Sequence, residues 1–185
     1  ISDVFEPGST FKVVTVAAAL NEQLVTLEDL INCEGGRWIY FGHLLTDHES
    51  HRVLSVRQIL TKSSNIGSAK IAVMLGEPRL EQYIRRFGFG APTGIPLPGE
   101  VHGIVHPVSR WDKVMITRVP IGYGVAVTPL QMVMAMAALA NGGELMRPRL
   151  VQRIQEPDGG LFVEYPPQPV RQVVSRHTAQ QIVAA

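Results

Sequence analysis

The run Ser9-Thr10-Phe11-Lys12 has the residue types and spacing for covalent chemistry. A serine hydroxyl is a poor nucleophile until a neighbouring base removes its proton. Residues three apart on a helix share a face, so a helix beginning near Ser9 puts Lys12 one turn above the hydroxyl. Lys12 also opens the almost wholly apolar run Val13 to Leu20. Desolvation there would lower a lysine pKa from about 10.4 toward the range of a working base. The N–H groups of a helix N-terminus at Ser9 would favour an oxyanion formed on that serine. The competing reading makes Ser9 an N-cap and Lys12 a solvated first-turn residue.

Three further groupings carry reactive residue types. Ser63-Ser64-Asn65 precedes a helical pattern, and Ser63 and Asn65 could converge on a substrate from a tight turn. Both types are also favoured N-caps. His43, His48 and His51 with Asp47 and Glu49 have the side chains that suit zinc. No helical face gathers them, and Thr46 to Arg52 is polar throughout, so this stretch reads as a solvated loop. Cys33 has no partner motif and reads as a buried or inert thiol. The glycines around Gly88, Gly90 and Gly94, and around Gly122 and Gly124, lack the form of a phosphate loop. No cofactor and no metal are expected.

The elements that must position these residues are mostly helices. A buried helix is expected over Val13 to Leu20, and a short one over Thr26 to Ile31 with Thr26 as N-cap. Arg37 to Phe41 suits a short strand. Ser55-Val56-Arg57-Gln58 is a capping box opening another short helix. A helix from Ser63 or Ser64 to Leu75 follows, with Ile66, Ala69 and Val73 on one face. Leu80, Tyr83, Ile84 and Phe87 form the apolar stripe of an amphipathic helix, capped by Gly88. Gly88 to Pro107 reads as a long surface loop. Thr128-Pro129-Leu130-Gln131 is a second capping box, opening a helix to Ala140. Pro157-Asp158-Gly159-Gly160 reads as the turn of a hairpin between Arg149–Gln155 and Leu161–Tyr165. A last helix begins near Ser175.

Composition bounds the class. The chain has 185 residues, 45% hydrophobic and 18% charged, against about 25% charged in an average globular chain. That excludes a disordered segment. Seventeen Lys+Arg against 16 Asp+Glu leave a net charge of +1, which argues against a nucleic-acid partner. One cysteine excludes an intrachain disulfide framework. Neither Val13 to Leu20 nor Met132 to Ala140 approaches the ~18 residues of a membrane span. The chain opens on Ile1 and stops at Ala185 inside a helical pattern, so it is expected to be a piece of something longer. No second domain is expected within it.

Together the motifs resemble a known family. Phe5-Glu6-Pro7-Gly8-Ser9-Thr10-Phe11-Lys12 is similar to the active-site serine motif of the penicillin-binding proteins, and Ser63-Ser64-Asn65 to their second motif, with S-S-N for S-D-N. Gly94 to Gly99 with Glu100, Gly122-Tyr123-Gly124, Thr128 to Gln131 and Ala140 to Gly143 follow in the family's order. The S-S-N spelling and the Gly94 to Glu100 segment most resemble class B transpeptidases of the cell-division type. The resemblance implies an α+β, helix-dominated fold. It would be the helical middle portion of the β-lactamase-like transpeptidase domain, without most of the central antiparallel sheet.

The resemblance also implies roles. Ser9 would attack the penultimate D-Ala carbonyl of a peptidoglycan stem peptide ending in D-Ala-D-Ala. Lys12 would be the general base, Ser63 a proton relay, and Asn65 a group that binds the substrate amide and helps hold Lys12. β-Lactams would acylate Ser9. Division or elongation membrane proteins would be partners of a parent anchored at the extracytoplasmic face of the bacterial membrane by an N-terminal segment. A β-lactam sensor, a non-catalytic division scaffold and a β-lactamase are the alternatives. The family's third motif, K-T-G, does not occur in the sequence. It is expected beyond Ala185, and the 185 residues alone are expected to be loosely packed and inactive.

Overall fold

Gly8–Phe11 form a 3-10 turn that runs straight into helix α1, Lys12–Asn21, in a computed structural model that describes residues 1–185. Helix α1 is apolar around most of its circumference, and Val14 through Leu20 are all buried. Helices α2 (Val56–Thr61), α3 (Asn65–Leu75), α4 (Glu77–Arg86) and α7 (Arg176–Val183) pack against it. This chain's own helices thus cover much of α1. Phe11 tilts against Phe89 with ring centroids 5.0 Å apart, at the base of the 3-10 turn. Thirty-eight buried apolar residues form one continuous cluster.

The strands are short and pair only in twos. β1 (Leu30–Asn32) lies antiparallel to β4 (Val53–Ser55), and β2 (Arg37–Tyr40) to β3 (His43–Thr46). β5 (Ile104–Val105) pairs with β6 (Val125–Ala126), β7 (Glu144–Met146) with β10 (Pro169–Gln172), and β8 (Arg153–Gln155) with β9 (Leu161–Glu164). The remaining helices are α5 (Met115–Arg118) and α6 (Pro129–Ala140). The fold is α+β with helices dominant.

Local chemistry explains most elements. Ser55 and Thr128 each complete a capping box with the glutamine three residues on. Gly88, at φ 96°, turns the chain after α4. Gly67 lets α3 lie on α2, since a Cβ there would run into the Ile59 side chain. Thr26 to Ile31 is not a helix. Asp29 accepts the Thr26 N–H at 2.8 Å, closing a turn, and Leu30 to Asn32 then pair with β4. Strand pairing outweighs the local capping signal. The Gly88 to Pro107 loop is stapled by Glu100, which accepts from the Thr93 and Gly94 N–H groups, and it ends in the β5–β6 ladder. The hairpin over Arg153 to Glu164 is present.

Helix α6 buries one side only. Val133 is 63% exposed, and Ala137 and Ala140 lie on the same open face. On α1 the unusual residue is Thr15. Its hydroxyl is fully buried with no hydrogen-bond partner. An orphaned buried hydroxyl costs about 1–3 kcal/mol. Thr15→Val keeps the shape and removes the orphan. It is expected to raise the thermal midpoint by roughly 2–4 °C for each kcal/mol recovered. Differential scanning calorimetry that shows no rise would mean that water reaches the hydroxyl.

Candidate active site

Helices α2 and α3 are separated by three residues, and that short connection builds half of the site. Lys62 closes α2, and Ser63 then takes φ 55°, in the left-handed region. The Ser63 N–H donates to the Leu60 carbonyl at 3.2 Å and the Ser64 N–H to the Ile59 carbonyl at 3.0 Å. This pair of bonds is the Schellman closure of a helix. Glycine is the usual residue at its left-handed position, and a serine there is strained. The turn points Ser63 toward α1 and leaves Ser64 to cap α3, accepting the Gly67 N–H at 2.9 Å.

The other half is the 3-10 turn. Side chains at i and i+3 eclipse in a 3-10 helix, so Lys12 stands over Ser9. Its Nζ lies 3.2 Å from Ser9 Oγ, 2.8 Å from Ser63 Oγ and 2.5 Å from the Ser63 carbonyl. Lys12 is only 2% exposed, whereas Ser9 is open to solvent and Ser63 half-buried. Burial lowers the Lys12 pKa to about 8, opposed by the negative charge of Asp47. The structure thus brings Ser9, Lys12 and Ser63 to one nitrogen.

Asn65 lies beside this cluster but is not bonded to Lys12. Its amide donates to the Thr46 carbonyl at 2.9 Å, which fixes the side chain at the end of β3. The expected hold on Lys12 is supplied by Ser63 instead.

Asp47 belongs to the site, although its sequence neighbours suggest a solvated loop. One carboxylate oxygen accepts the Asn65 N–H at 2.5 Å and the Ile66 N–H at 2.9 Å, and the other accepts the Ser64 hydroxyl at 2.7 Å. Nothing in its local sequence marks this, because its partners are 17 to 19 residues away. The neighbouring histidines do not join it. His51 contacts Glu49 at 3.2 Å, His43 sits in β3, and His48 is exposed. Cys33 is buried 3.5 Å from Ser64 Oγ, and burial pushes its thiol pKa up.

A glycine contact fixes the Ser9 turn from behind. The Gly8 N–H donates to the Gly122 carbonyl at 3.3 Å, and a Cβ on Gly122 would fall inside the Gly8 backbone. Glu6 adds a second tie by accepting the Gly124 N–H at 2.9 Å. Tyr123 between them is 52% exposed, next to the Ser9 turn.

The sequence model described as the penicillin binding protein transpeptidase domain matches residues 1–185. This chain belongs to that family. It is 34% identical over 185 residues to penicillin-binding protein PbpB of Mycolicibacterium smegmatis, covering 98% of this chain and 28% of the relative. It is 34% identical over 174 residues to peptidoglycan D,D-transpeptidase FtsI of Escherichia coli strain K12, covering 94% of this chain and 29% of that protein. Among solved structures, penicillin binding protein 3 of Mycobacterium tuberculosis in complex with aztreonam superposes with a TM-score of 0.88 at 34% identity, covering 98% of this chain and 41% of that one. The chain spans less than a third of the length of the curated relatives it matches. Its α+β architecture, with only small sheets, is the corresponding part of the transpeptidase fold.

The left-handed Ser63 separates stability from chemistry. Ser63→Gly and Ser63→Ala both remove the hydroxyl from Lys12, but only glycine relieves the backbone, by about 1–2 kcal/mol. The glycine variant should melt at the higher temperature, and if Ser63 handles a proton for Lys12 both should lose covalent labelling of the full-length protein by a penicillin to a similar degree. Equal midpoints would mean that Ser63 is unstrained.

Proposed function

We propose that this chain carries the nucleophile and proton-handling groups of a peptidoglycan D,D-transpeptidase that cross-links stem peptides in septal cell-wall synthesis. The observation that carries the reading is the buried Lys12 nitrogen among Ser9 Oγ, Ser63 Oγ and the Ser63 carbonyl. A neutral amine has two N–H donors and one lone pair. The two donors suit the Ser63 oxygens, and the lone pair then faces the Ser9 hydroxyl.

In this reading Lys12 takes the Ser9 proton as Ser9 Oγ attacks the penultimate D-Ala carbonyl. The new O–C bond gives a tetrahedral intermediate. Its C–N bond then breaks, and the terminal D-Ala leaves as an amine, protonated from Lys12 through the Ser63 hydroxyl. An amino group of a neighbouring stem peptide attacks the resulting ester, and Ser9 regains its proton as the cross-link forms. Asn65 keeps its side-chain carbonyl without a protein partner and is suited to accept an amide N–H of the substrate. β-Lactams would acylate Ser9 by the same route, a view supported by the aztreonam complex of the Mycobacterium tuberculosis relative. The working protein would act at the extracytoplasmic face of the membrane with division or elongation membrane proteins. No helix of this chain is long and apolar enough to cross a membrane.

Two measurements on the full-length protein test this. Ser9→Ala should abolish covalent labelling by a fluorescent penicillin. Lys12→Arg should abolish it as well, because a guanidinium cannot give up its proton in a protein. Labelling of the alanine variant at the normal rate removes Ser9 as the nucleophile.

The second measurement is the pH dependence of labelling. Lys12 works as a base only when deprotonated, and its pKa is held at about 8. With that value, about one molecule in ten carries the neutral amine at pH 7. The labelling rate should climb with pH through this range and level off above about 8. A rate that is flat from pH 6 to 9 would show that Lys12 is not the base.

A further inference from the structure

Asp47 has no part in that chemistry, yet its carboxylate is tied to three consecutive residues, the last two of the second motif and the one that follows them. It accepts the Ser64 hydroxyl at 2.7 Å, the Asn65 N–H at 2.5 Å and the Ile66 N–H at 2.9 Å. The residue before it, Thr46, holds the Asn65 side chain through its carbonyl. Ser64 alone could cap α3, as its bond to the Gly67 N–H shows. A second cap, the Asp47 carboxylate just after β3, fixes where the helix begins relative to the β2–β3 hairpin. The residue immediately before this clamp is Ser63, in its strained left-handed conformation with both its oxygens on Lys12. Strained residues persist only where their surroundings over-determine them.

We propose that Asp47 is the positioning residue of the serine centre: it clamps the Ser64–Ile66 backbone, keeps Ser63 turned onto the Lys12 nitrogen, and sets its negative charge against the residue next to the one that binds that nitrogen. It touches neither substrate nor the reacting atoms and acts through Ser63 and Lys12. This role rests on the transpeptidase reading above.

The charged surroundings are simple. On α1, Lys12 feels the Asp47 charge, which raises its pKa against the effect of burial. From α3, Lys70 is engaged by Glu34 at 2.6 Å. From the β1–β2 connection, the Cys33 thiol is buried, with its pKa raised. In the loop after Asp47, His51 contacts Glu49. Removing the Asp47 charge therefore removes the influence that raises the Lys12 pKa, and leaves the burial that lowers it.

Two substitutions separate the clamp from the charge. Asp47→Ala removes both. Asp47→Asn keeps an oxygen for the Asn65 and Ile66 N–H groups. Its new NH2 group can donate to Ser64 Oγ, and the Ser64 hydroxyl can then turn to the Cys33 sulfur, 3.5 Å away.

The experiment measures thermal midpoint, penicillin-labelling rate against pH, and the 13Cε titration of Lys12 by NMR, on the full-length protein and both variants. Asp47→Ala should label about 10²-fold more slowly, the scale expected when a catalytic group is misplaced by about 1 Å. Asp47→Asn should label faster than the alanine variant. The rising limb of its rate–pH curve, and the Lys12 titration, should both move to lower pH. A merely structural role would lower the midpoint without moving either curve. The proposal is overturned by an alanine variant that labels at the parental rate, or by an asparagine variant whose Lys12 titration superposes on that of the parent. If the parent is not labelled at Ser9, the transpeptidase reading fails, and the Lys12 titration still decides whether the Asp47 charge acts on that nitrogen.

Discussion

A lysine nitrogen taken out of water is the constraint on which this structure turns. Lys12 is almost wholly buried, and a buried ammonium is costly unless oxygens replace its water. Three oxygens from two elements do so, one on the Ser9 turn and two on Ser63. That requirement ties the start of α1 to the α2–α3 connection. Burial by α1 and its covering helices lowers the pKa, and Asp47 keeps it from falling further. The balance leaves a group able to hold and release a proton near neutral pH, which is the property acid–base work needs.

Everything else near the site limits how far those two elements can drift. Gly8 and Gly122 are in backbone contact, so the Ser9 turn cannot move without carrying the Gly122–Gly124 loop with it. Glu6 adds a second tie to that loop, and Phe11 is wedged against Phe89 beneath it. On the opposite side, Asp47 and Thr46 secure α3 to the end of β3. The β1–β4, β2–β3 and β7–β10 ladders thus brace helices α2, α3 and α6, and the strands form no layer of their own.

Legibility in the sequence followed the range of the interaction. Capping boxes at Ser55 and Thr128, the apolar stripe of α4 and the Gly88 turn are written within a few residues, and each is present. The pair Ser9 and Lys12 was legible for the same reason, although the 3-10 geometry of Gly8–Phe11 was not. Ser63 and Asn65 were visible as a motif, but the left-handed Ser63 was hidden because serine does not advertise that conformation as glycine does. Thr26 misled because a cap signal is local and the β1–β4 pairing that overrides it is not. Asp47 was misread as solvated for the same reason. Its partners lie on a helix whose start it helps to define, and the polar run around it pointed to water.

Three departures from ideal local structure lie close together, although Gln23, Glu34 and Phe41 also take positive φ elsewhere in the chain. Ser63 sits in a backbone conformation that costs a serine about 1–2 kcal/mol, Lys12 is buried with its charge disfavoured, and Thr15 leaves an orphaned hydroxyl one turn further along α1. The rest of the core, by contrast, is made of well-packed apolar side chains in a single cluster. A chain selected for stability alone would carry glycine at 63, and an apolar residue at 12 and at 15. Positions 12 and 63 depart from that choice where the oxygens and the nitrogen meet, which is what a site that must hold a reactive group ready would require. Thr15 contacts none of those oxygens through a hydrogen bond, so its cost is not explained by the same need.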